Sequence, residues 1–338
     1  MSKRLSVFKP SSTHLSGFGH YLPAEIVSNE QLIAESGLEI SSDWIKKRIG
    51  VSSRHRVAEG ENTSDMALQA SLMALASAGL KASDLDAIIL STISPDHPNP
   101  ATACALQAKL GIGDSRIPCF DISAACSGFL YALDVGSRYI ETEMERVLVV
   151  SSEVRSRFIN PKDPSTFPIF GDGAAAVVLE NSGSAPLSGL KMMADGQGYY
   201  SVHIPAGGSV LPASLETVNH SQHFITMNDG QKIFFKVVEG MSAYAQSFLE
   251  ACGYGLDEVD FVIAHQANLN ILKEVQRRLG LPKEKMLINI QSTGNTSSAS
   301  IPLVLSQKWH QGEIPKGSRV LCVSAGAGHT MGLALFQV

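Results

Sequence analysis

The sequence predicts an α/β protein built from two like halves, each a sheet of apolar strands covered by helices on both faces. Three observations carry this reading: an internal repeat, a steady alternation of strand-like and helix-like segments, and a polar break near the middle. Asp84-Leu85-Asp86-Ala87-Ile88-Ile89 is matched by Glu258-Val259-Asp260-Phe261-Val262-Ile263, 174 residues further on. Arg146-Val147-Leu148-Val149-Val150-Ser151 is matched by Arg319-Val320-Leu321-Cys322-Val323-Ser324, 173 residues further on. Gly79 and Gly253 keep the first spacing and close the helix-like segment before each copy. Apolar strands are common, so one match would mean little; two in the same order at nearly one spacing indicate duplication.

In the first half, Ala67–Ala78 reads as a helix, Leu85–Ile93 as a strand, Thr102–Leu110 as a helix and Arg116–Ile122 as a buried strand. Phe129, Leu130, Leu133, Val135 and Ile140 then recur at roughly helical spacing, and Arg146–Ser152 returns to strand. The second half runs helix Met241–Cys252, strand Val259–Ala264, helix Leu269–Leu279, strand Met286–Ile290, helix Ser297–Trp309 and strand Arg319–Val323. Strands that are apolar throughout belong to sheets buried on both faces. Glu180-Asn181-Ser182-Gly183-Ser184-Ala185-Pro186 breaks the pattern and divides the chain into residues 1–183 and 184–338. Like halves pack together, and loops at equivalent strand ends then face one another across the seam, where a site is expected.

Composition limits what such a molecule does. A chain of 338 residues, 44% hydrophobic and 17% charged, buries a large core and fits two domain-sized units. Its net charge of -5 and pI near 6.1 argue against a general nucleic-acid surface. The five cysteines, Cys104, Cys119, Cys126, Cys252 and Cys322, form no CxxC pair and sit in apolar surroundings, which argues against disulfides and a zinc site and for a reducing compartment. Met1–Pro10 lacks the apolar run of a signal peptide and no stretch has the length of a membrane span, so a cytoplasmic protein is expected.

One thiol stands apart. Asp121-Ile122-Ser123-Ala124-Ala125-Cys126-Ser127-Gly128-Phe129 places Cys126 where a strand gives way to a helix. Unpaired N–H groups at a helix start stabilise a thiolate, and the expected result is a pKa lowered toward neutrality. The competing reading is a small buried hydrophobe. Duplication suggests partners for it: a spacing of 169, taken from Leu110-Gly111 and Leu279-Gly280, carries Cys126 to Asn295, in the polar loop Gln291–Ser300. His265 follows the strand Val259–Ala264, and 174 residues before it lies Ser91, also at a strand end. Singly, a strand-end histidine is most often structural and an Asn beside Gly and Thr a turn or cap. Their convergence on Cys126 favours catalysis.

Asp121–Phe129, His265-Gln266-Ala267-Asn268 and Gly294-Asn295-Thr296-Ser297 resemble the three active-site segments of β-ketoacyl-acyl carrier protein synthase III, a thiolase-fold condensing enzyme. The likeness runs from about Gly17 to the C-terminus and includes Tyr21-Leu22-Pro23, Ser42-Asp43-Trp44-Ile45 with Arg48, and Phe170-Gly171-Asp172-Gly173-Ala174. The resemblance implies a layered α/β/α/β/α thiolase fold, a homodimer, and no metal or redox cofactor. Catalysis would fall to Cys126, His265 and Asn295. An acyl-CoA starter would load on Cys126, its oxyanion held by the backbone N–H groups of Cys126 and Ala327. Decarboxylation of a malonyl thioester, delivered on acyl carrier protein, would then drive a Claisen condensation, with His265 and Asn295 donating to the enolate oxygen. Trp44 would carry the adenine of coenzyme A and Arg48 neighbour its phosphates, with Lys46, Lys47, Arg54 and Arg56 adding charge nearby. Lys273, Arg277 and Arg278 would face the acidic carrier protein.

The chain departs from the family pattern at several of these places. Pro164 stands where an arginine commonly clamps the adenine, and Asn270 where an arginine contacts the carrier protein. Asn99 replaces an aromatic residue that closes the acyl pocket across the dimer interface, and Ala325 replaces another in the terminal loop, where Ala327 and His329 also differ. Asn99 and Ala325 imply an acyl pocket longer or more polar than acetyl needs. Ser94-Pro95-Asp96-His97 is similar to relatives that serve secondary metabolism. Two alternatives remain open at this stage: transfer of an unusual acyl group to another nucleophile, and a non-catalytic binding subunit of the same fold.

Overall fold

The computed structural model describes residues 6–338, so Met1–Leu5, part of the segment read for a leader, lies outside the described residues. The first half runs β1 (His14–Tyr21), β2 (Glu25–Ser28), α1 (Asn29–Ser36), α2 (Ser42–Arg48), β3 (Ser53–Arg56), α3 (Thr63–Ala78), β4 (Ala87–Ser91), α4 (Thr102–Lys109), β5 (Cys119–Ile122), α5 (Gly128–Thr142), β6 (Arg146–Glu153) and β7 (Gly173–Glu180). The second runs β8 (Leu187–Met193), β9 (Val202–His203), α6 (Leu215–Asn219), β10 (Thr226–Met227), α7 (Gly230–Cys252), β11 (Phe261–Ala264), α8 (Leu269–Leu279), α9 (Ile290–Thr293), α10 (Ser300–His310), β12 (Arg319–Gly326) and β13 (Thr330–Gln337). One sheet has the order β1-β7-β6-β4-β5 and the other β8-β13-β12-β11.

The two sheets repeat one another in register. Ala87 faces Val147 in the parallel pair β4 and β6, and Phe261 faces Val320 in the parallel pair β11 and β12. Arg146 faces Glu180 in the antiparallel pair β6 and β7, and Arg319 faces Gln337 in β12 and β13. Even the anchoring carboxylates repeat: Asp86 Oδ2 accepts from the Arg146 amide at 2.9 Å and Asp260 Oδ2 from the Arg319 amide at 2.7 Å. The helix before each copy ends on a left-handed glycine, Gly79 at φ 71° and Gly253 at φ 93°, a conformation that side chains with a Cβ rarely adopt.

These elements stack in five layers. α3 and α4 cover the outer face of the first sheet, α7 and α8 that of the second, and α5 and α10 fill the space between. The middle layer is the continuous core, where Phe129, Leu130 and Leu133 of α5 meet Ile301, Val304 and Leu305 of α10 between the two sheets. α3 lies directly on β1: a Cβ at Gly19 would come within 2.1 Å of the Ala70 carbonyl oxygen.

The sequence reading needs correction in four places. The strand expected over Arg116–Ile122 is only β5, and it is half-buried at the edge of its sheet rather than fully buried. Arg116 has φ 58°, and Pro118 accepts from the Ile88 amide at 3.0 Å but brings no N–H of its own, so the ladder stops there. The strand expected over Met286–Ile290 is reduced to one bridge, Val262 with Met286, because a 3₁₀ turn at Lys283–Lys285 and α9 close in from either side. The Leu85–Ile93 strand shrinks to β4, and the helix read from Met241 begins eleven residues earlier as α7. The antiparallel strands β1, β7, β8 and β13 were not recognised from the sequence.

Candidate active site

Cys126 lies in a single 3₁₀ turn, Ala125–Ser127, between the end of β5 and the start of α5. Ala125 takes φ 47°, so the chain bends sharply just before the thiol. The helix-start position read from the sequence is present, but the expected drop in pKa is not: burial pushes the Cys126 thiol up to about 11, against the Ser297 hydroxyl and the Arg155 charge, which pull it down. Desolvation of a thiolate outweighs those two aids. The Ser297 hydroxyl lies 3.7 Å from Sγ. Gly326, at the end of β12, packs against this turn so closely that a Cβ there would fall 2.8 Å from the Cys126 amide nitrogen.

His265 follows β11, and its counterpart Ser91 ends β4 in the matched register. Its ring is buried, and Nδ1 lies 2.7 Å from the hydroxyl of Ser300, the first residue of α10. That same hydroxyl oxygen accepts from the Gln266 amide at 3.3 Å. With the Ser300 O–H turned to Nδ1, the ring proton sits on Nε2. Burial lowers the His265 pKa to about 3, so the ring is neutral near pH 7. It is then a neutral N–H donor.

Asn295 is held through its backbone, which donates to the Ile169 carbonyl at 2.9 Å and accepts from Gly171 at 3.2 Å. Its side-chain Oδ1 accepts from the Ser297 amide at 2.8 Å, which leaves Nδ2 as the free donor. The spacing of 169 that singled out Asn295 is not the structural one. The turns Ala125–Ser127 and Ser297–Ala299, and the helices α5 and α10 after them, correspond at 172, so the counterpart of Cys126 is Ser298. Asn295 sits three residues before it and reaches the same place from the preceding loop. Cys126, His265 and Asn295 line one cavity, with Ala325 and Ala327 on its wall.

The remaining residues singled out from sequence fall elsewhere. Trp44 and Arg48 share a face of α2, with the guanidinium carbon 6.0 Å from the ring centroid and Trp44 37% exposed, outside the cavity. Asn99 is exposed and does not line the cavity of its own chain. Arg54 adds no surface charge, since it is buried and donates to the carbonyls of Val27 and Pro168, and Arg56 is paired with Glu25 and Glu35. Asn270 spans to α2, its Nδ2 donating to the Lys47 and Arg48 carbonyls. Pro164 is exposed in the turn that begins at Asp163. Arg277 and Arg278 both pair with Glu274, and Lys273 is exposed beside them. Sequence reasoning missed Ser300, whose place at the head of a buried helix carried no mark of a histidine partner, and Arg155, a charge just beyond an apolar strand. His329 also lines the cavity, with Nε2 3.4 Å from the Ser201 hydroxyl. Among the described residues no group of His, Cys, Asp and Glu is placed to hold a metal, and no helix is long and apolar enough to cross a membrane.

Residues 120–196 match the family model of 3-oxoacyl-[acyl-carrier-protein] synthase III, and residues 249–338 match the model of its C-terminal part. The chain is 41% identical over 324 residues to β-ketoacyl-[acyl-carrier-protein] synthase III 3 of Streptomyces coelicolor, covering 95% of each. It is 42% identical over 316 residues to β-ketoacyl-[acyl-carrier-protein] synthase III of Caldanaerobacter subterraneus, covering 93% of this chain and 94% of that protein. The crystal structure of 3-oxoacyl-[acyl-carrier-protein] synthase III from Aquifex aeolicus superposes with a TM-score of 0.87 at 36% identity, over 96% of this chain and all of that one.

Proposed function

Because the chain belongs to the β-ketoacyl-acyl carrier protein synthase III family of thiolase-fold, acyl-transferring condensing enzymes, we propose how its own residues divide the reaction. Cys126 Sγ attacks the carbonyl of an acyl-CoA starter, the oxyanion is held by the Cys126 and Ala327 amides, and coenzyme A departs with the thiol proton. A malonyl thioester on acyl carrier protein then binds with its thioester oxygen between His265 Nε2 and Asn295 Nδ2. Loss of carbon dioxide leaves an enolate on that oxygen, and its carbon attacks the acyl group and frees the Cys126 thiolate. Both donors are neutral, so neither is consumed as an acid.

The observation that carries this reading is the pair of occupied acceptors. Asn295 Oδ1 takes the Ser297 amide and His265 Nδ1 lies 2.7 Å from the Ser300 hydroxyl, an arrangement in which Asn295 Nδ2 and, with Nδ1 as the acceptor, His265 Nε2 are donors for the cavity of Cys126. A nucleophile beside two fixed neutral donors suits acylation followed by enolate formation. Intact-mass measurement after mixing with acyl-CoAs tests the first step, and carbon dioxide release from malonyl-acyl carrier protein tests the second. Absence of any Cys126 adduct with every donor refutes the reading and favours a binding subunit.

The same reading treats residues 1–183 and 184–338 as the two copies, supported by their matched registers. It places coenzyme A along Trp44 and Arg48, and the carrier protein beside Lys273. A homodimer in the cytoplasm completes it. Its support is the edge strand β5, whose unpaired side a second copy can continue, and the exposed Asn99 on the loop next to it.

A further inference from the structure

Arg155 takes no part in the chemistry above, yet it lines the same cavity as Cys126. The residue is 1% exposed, and its Nε, Nη1 and Nη2 have no hydrogen-bond partner among the described residues. Two aromatic rings flank the guanidinium, with its carbon 5.3 Å from the Phe170 centroid and 5.8 Å from that of Phe158. A guanidinium keeps its charge inside a protein, and a buried charge is held at great cost unless something pairs with it.

The nearby carboxylates are already engaged. Glu153 Oε1 accepts from the Ser298 hydroxyl at 2.7 Å, and Oε2 accepts from the Ser94 hydroxyl at 2.7 Å and the Ile93 amide at 3.2 Å. Among the described residues neither Glu153 nor Asp172 forms an ion pair with Arg155. Asp172 instead takes the Arg155 and Ser156 amides, the Ser156 hydroxyl and the Val57 amide. The donors of Arg155 are therefore buried and unpaired among the described residues. Their planar fork matches a carboxylate, which it can bind through two parallel bonds.

We propose that the acyl pocket takes a short dicarboxylic acid monothioester, whose free carboxylate docks on Arg155 while its thioester carbonyl meets Cys126. The inference rests on the acyl-enzyme reading above. Apolar Ile93, Ile169 and Phe170 wall the same cavity and suit the methylenes between the two ends. Arg155 and Cys126 line the same cavity, and succinyl and glutaryl thioesters are the shortest common donors that carry a carboxylate beyond two or three methylenes. In the transfer, the bond from Sγ to the acyl carbon forms as the bond to the coenzyme A sulfur breaks. The Cys126 proton ends on the released thiol, and the distal carboxylate is unchanged.

The test compares near-isosteric donors on the full chain: succinyl-CoA against butyryl-CoA, and glutaryl-CoA against valeryl-CoA. The readout is kcat/KM for acylation, from coenzyme A release, with the adduct located on Cys126 by mass. At least a tenfold preference for the carboxylated member of one pair is expected, and Arg155→Leu inverts it. Preference for the methyl-ended member of both pairs overturns the inference and needs no variant. An unchanged ratio in a folded Arg155→Leu protein also overturns it. Adducts with butyryl but not succinyl or glutaryl donors sink this inference alone, whereas no adduct with any donor sinks the acyl-enzyme reading beneath it.

Discussion

Replacing Ser300 with alanine tests whether a hydroxyl that touches no substrate sets the histidine's donor. In the folded chain the Gln266 amide occupies the Ser300 oxygen at 3.3 Å and the hydroxyl faces His265 Nδ1 at 2.7 Å. Removing it leaves a buried ring nitrogen without its partner, a loss of about 1–3 kcal/mol. Nothing then opposes the tautomer or ring rotation that turns an acceptor toward the substrate. At 1.36 kcal/mol per factor of ten, the competent orientation falls roughly 5- to 150-fold. Decarboxylation of malonyl-acyl carrier protein should fall by that factor in kcat, while Cys126 acylation, scored by mass, should stay within about threefold. Ser300→Thr, which keeps the hydroxyl, should recover most of the loss. Equal loss in both half-reactions, or no rescue by threonine, would mean that Ser300 only fills space.

Four further outcomes follow from the same geometry. Cys126→Ala should abolish the acyl adduct, whereas Asn295→Ala should spare much of the acylation and cost decarboxylation about 10²- to 10³-fold, as loss of an oxyanion donor does; equal damage to both steps would remove the enolate role. With the thiol pushed up to about 11, Cys126 alkylation by iodoacetamide should rise about tenfold per pH unit from 7 to 9, and a plateau in that window would show a thiolate already formed. Gly326→Ala should slow acylation at least tenfold, since its Cβ would crowd the Cys126 amide at 2.8 Å; a fully active variant would remove that amide from the oxyanion site. His265, with its pKa lowered to about 3 in the folded chain, favours unfolding as acid is added. Its unfolded form binds a proton below about 6.5, so stability falls by up to about 1.4 kcal/mol per pH unit between 6.5 and 3. His265→Gln should flatten part of that decline in denaturant titrations.

What the sequence revealed tracks what periodicity and repetition can encode. The apolar strands β4, β6, β11 and β12 were legible because both faces are buried and their copies recur. β7 escaped because it opens on Gly173-Ala174-Ala175-Ala176, which packs closely but gives weak strand propensity, and β1 because two glycines interrupt it; β8 and β13 carry no such mark. Cys126, His265 and Asn295 were found by motif and by resemblance. Their geometry was not legible: the offset that pointed to Asn295 was three residues short, and the helix-start argument for a lowered thiol pKa ignored how deeply the turn is buried. Arg155 left no periodic trace. Only its burial, with every side-chain donor free, distinguishes it from an ordinary surface arginine.

The middle layer separates two things that selection can act upon independently. Cys126 sits just before α5 and the hydroxyl beside His265 at the head of α10, so the span between these groups is gauged by the buried middle layer of the molecule. Other walls of the cavity come instead from Ile93, Arg155 and the segments around Phe170, Ile225 and Met227, which lie in loops and strand ends outside that layer. Diet can therefore drift while the clockwork keeps time: a lineage can exchange one starter for another by editing the walls, and the distances on which bond-making depends are inherited untouched.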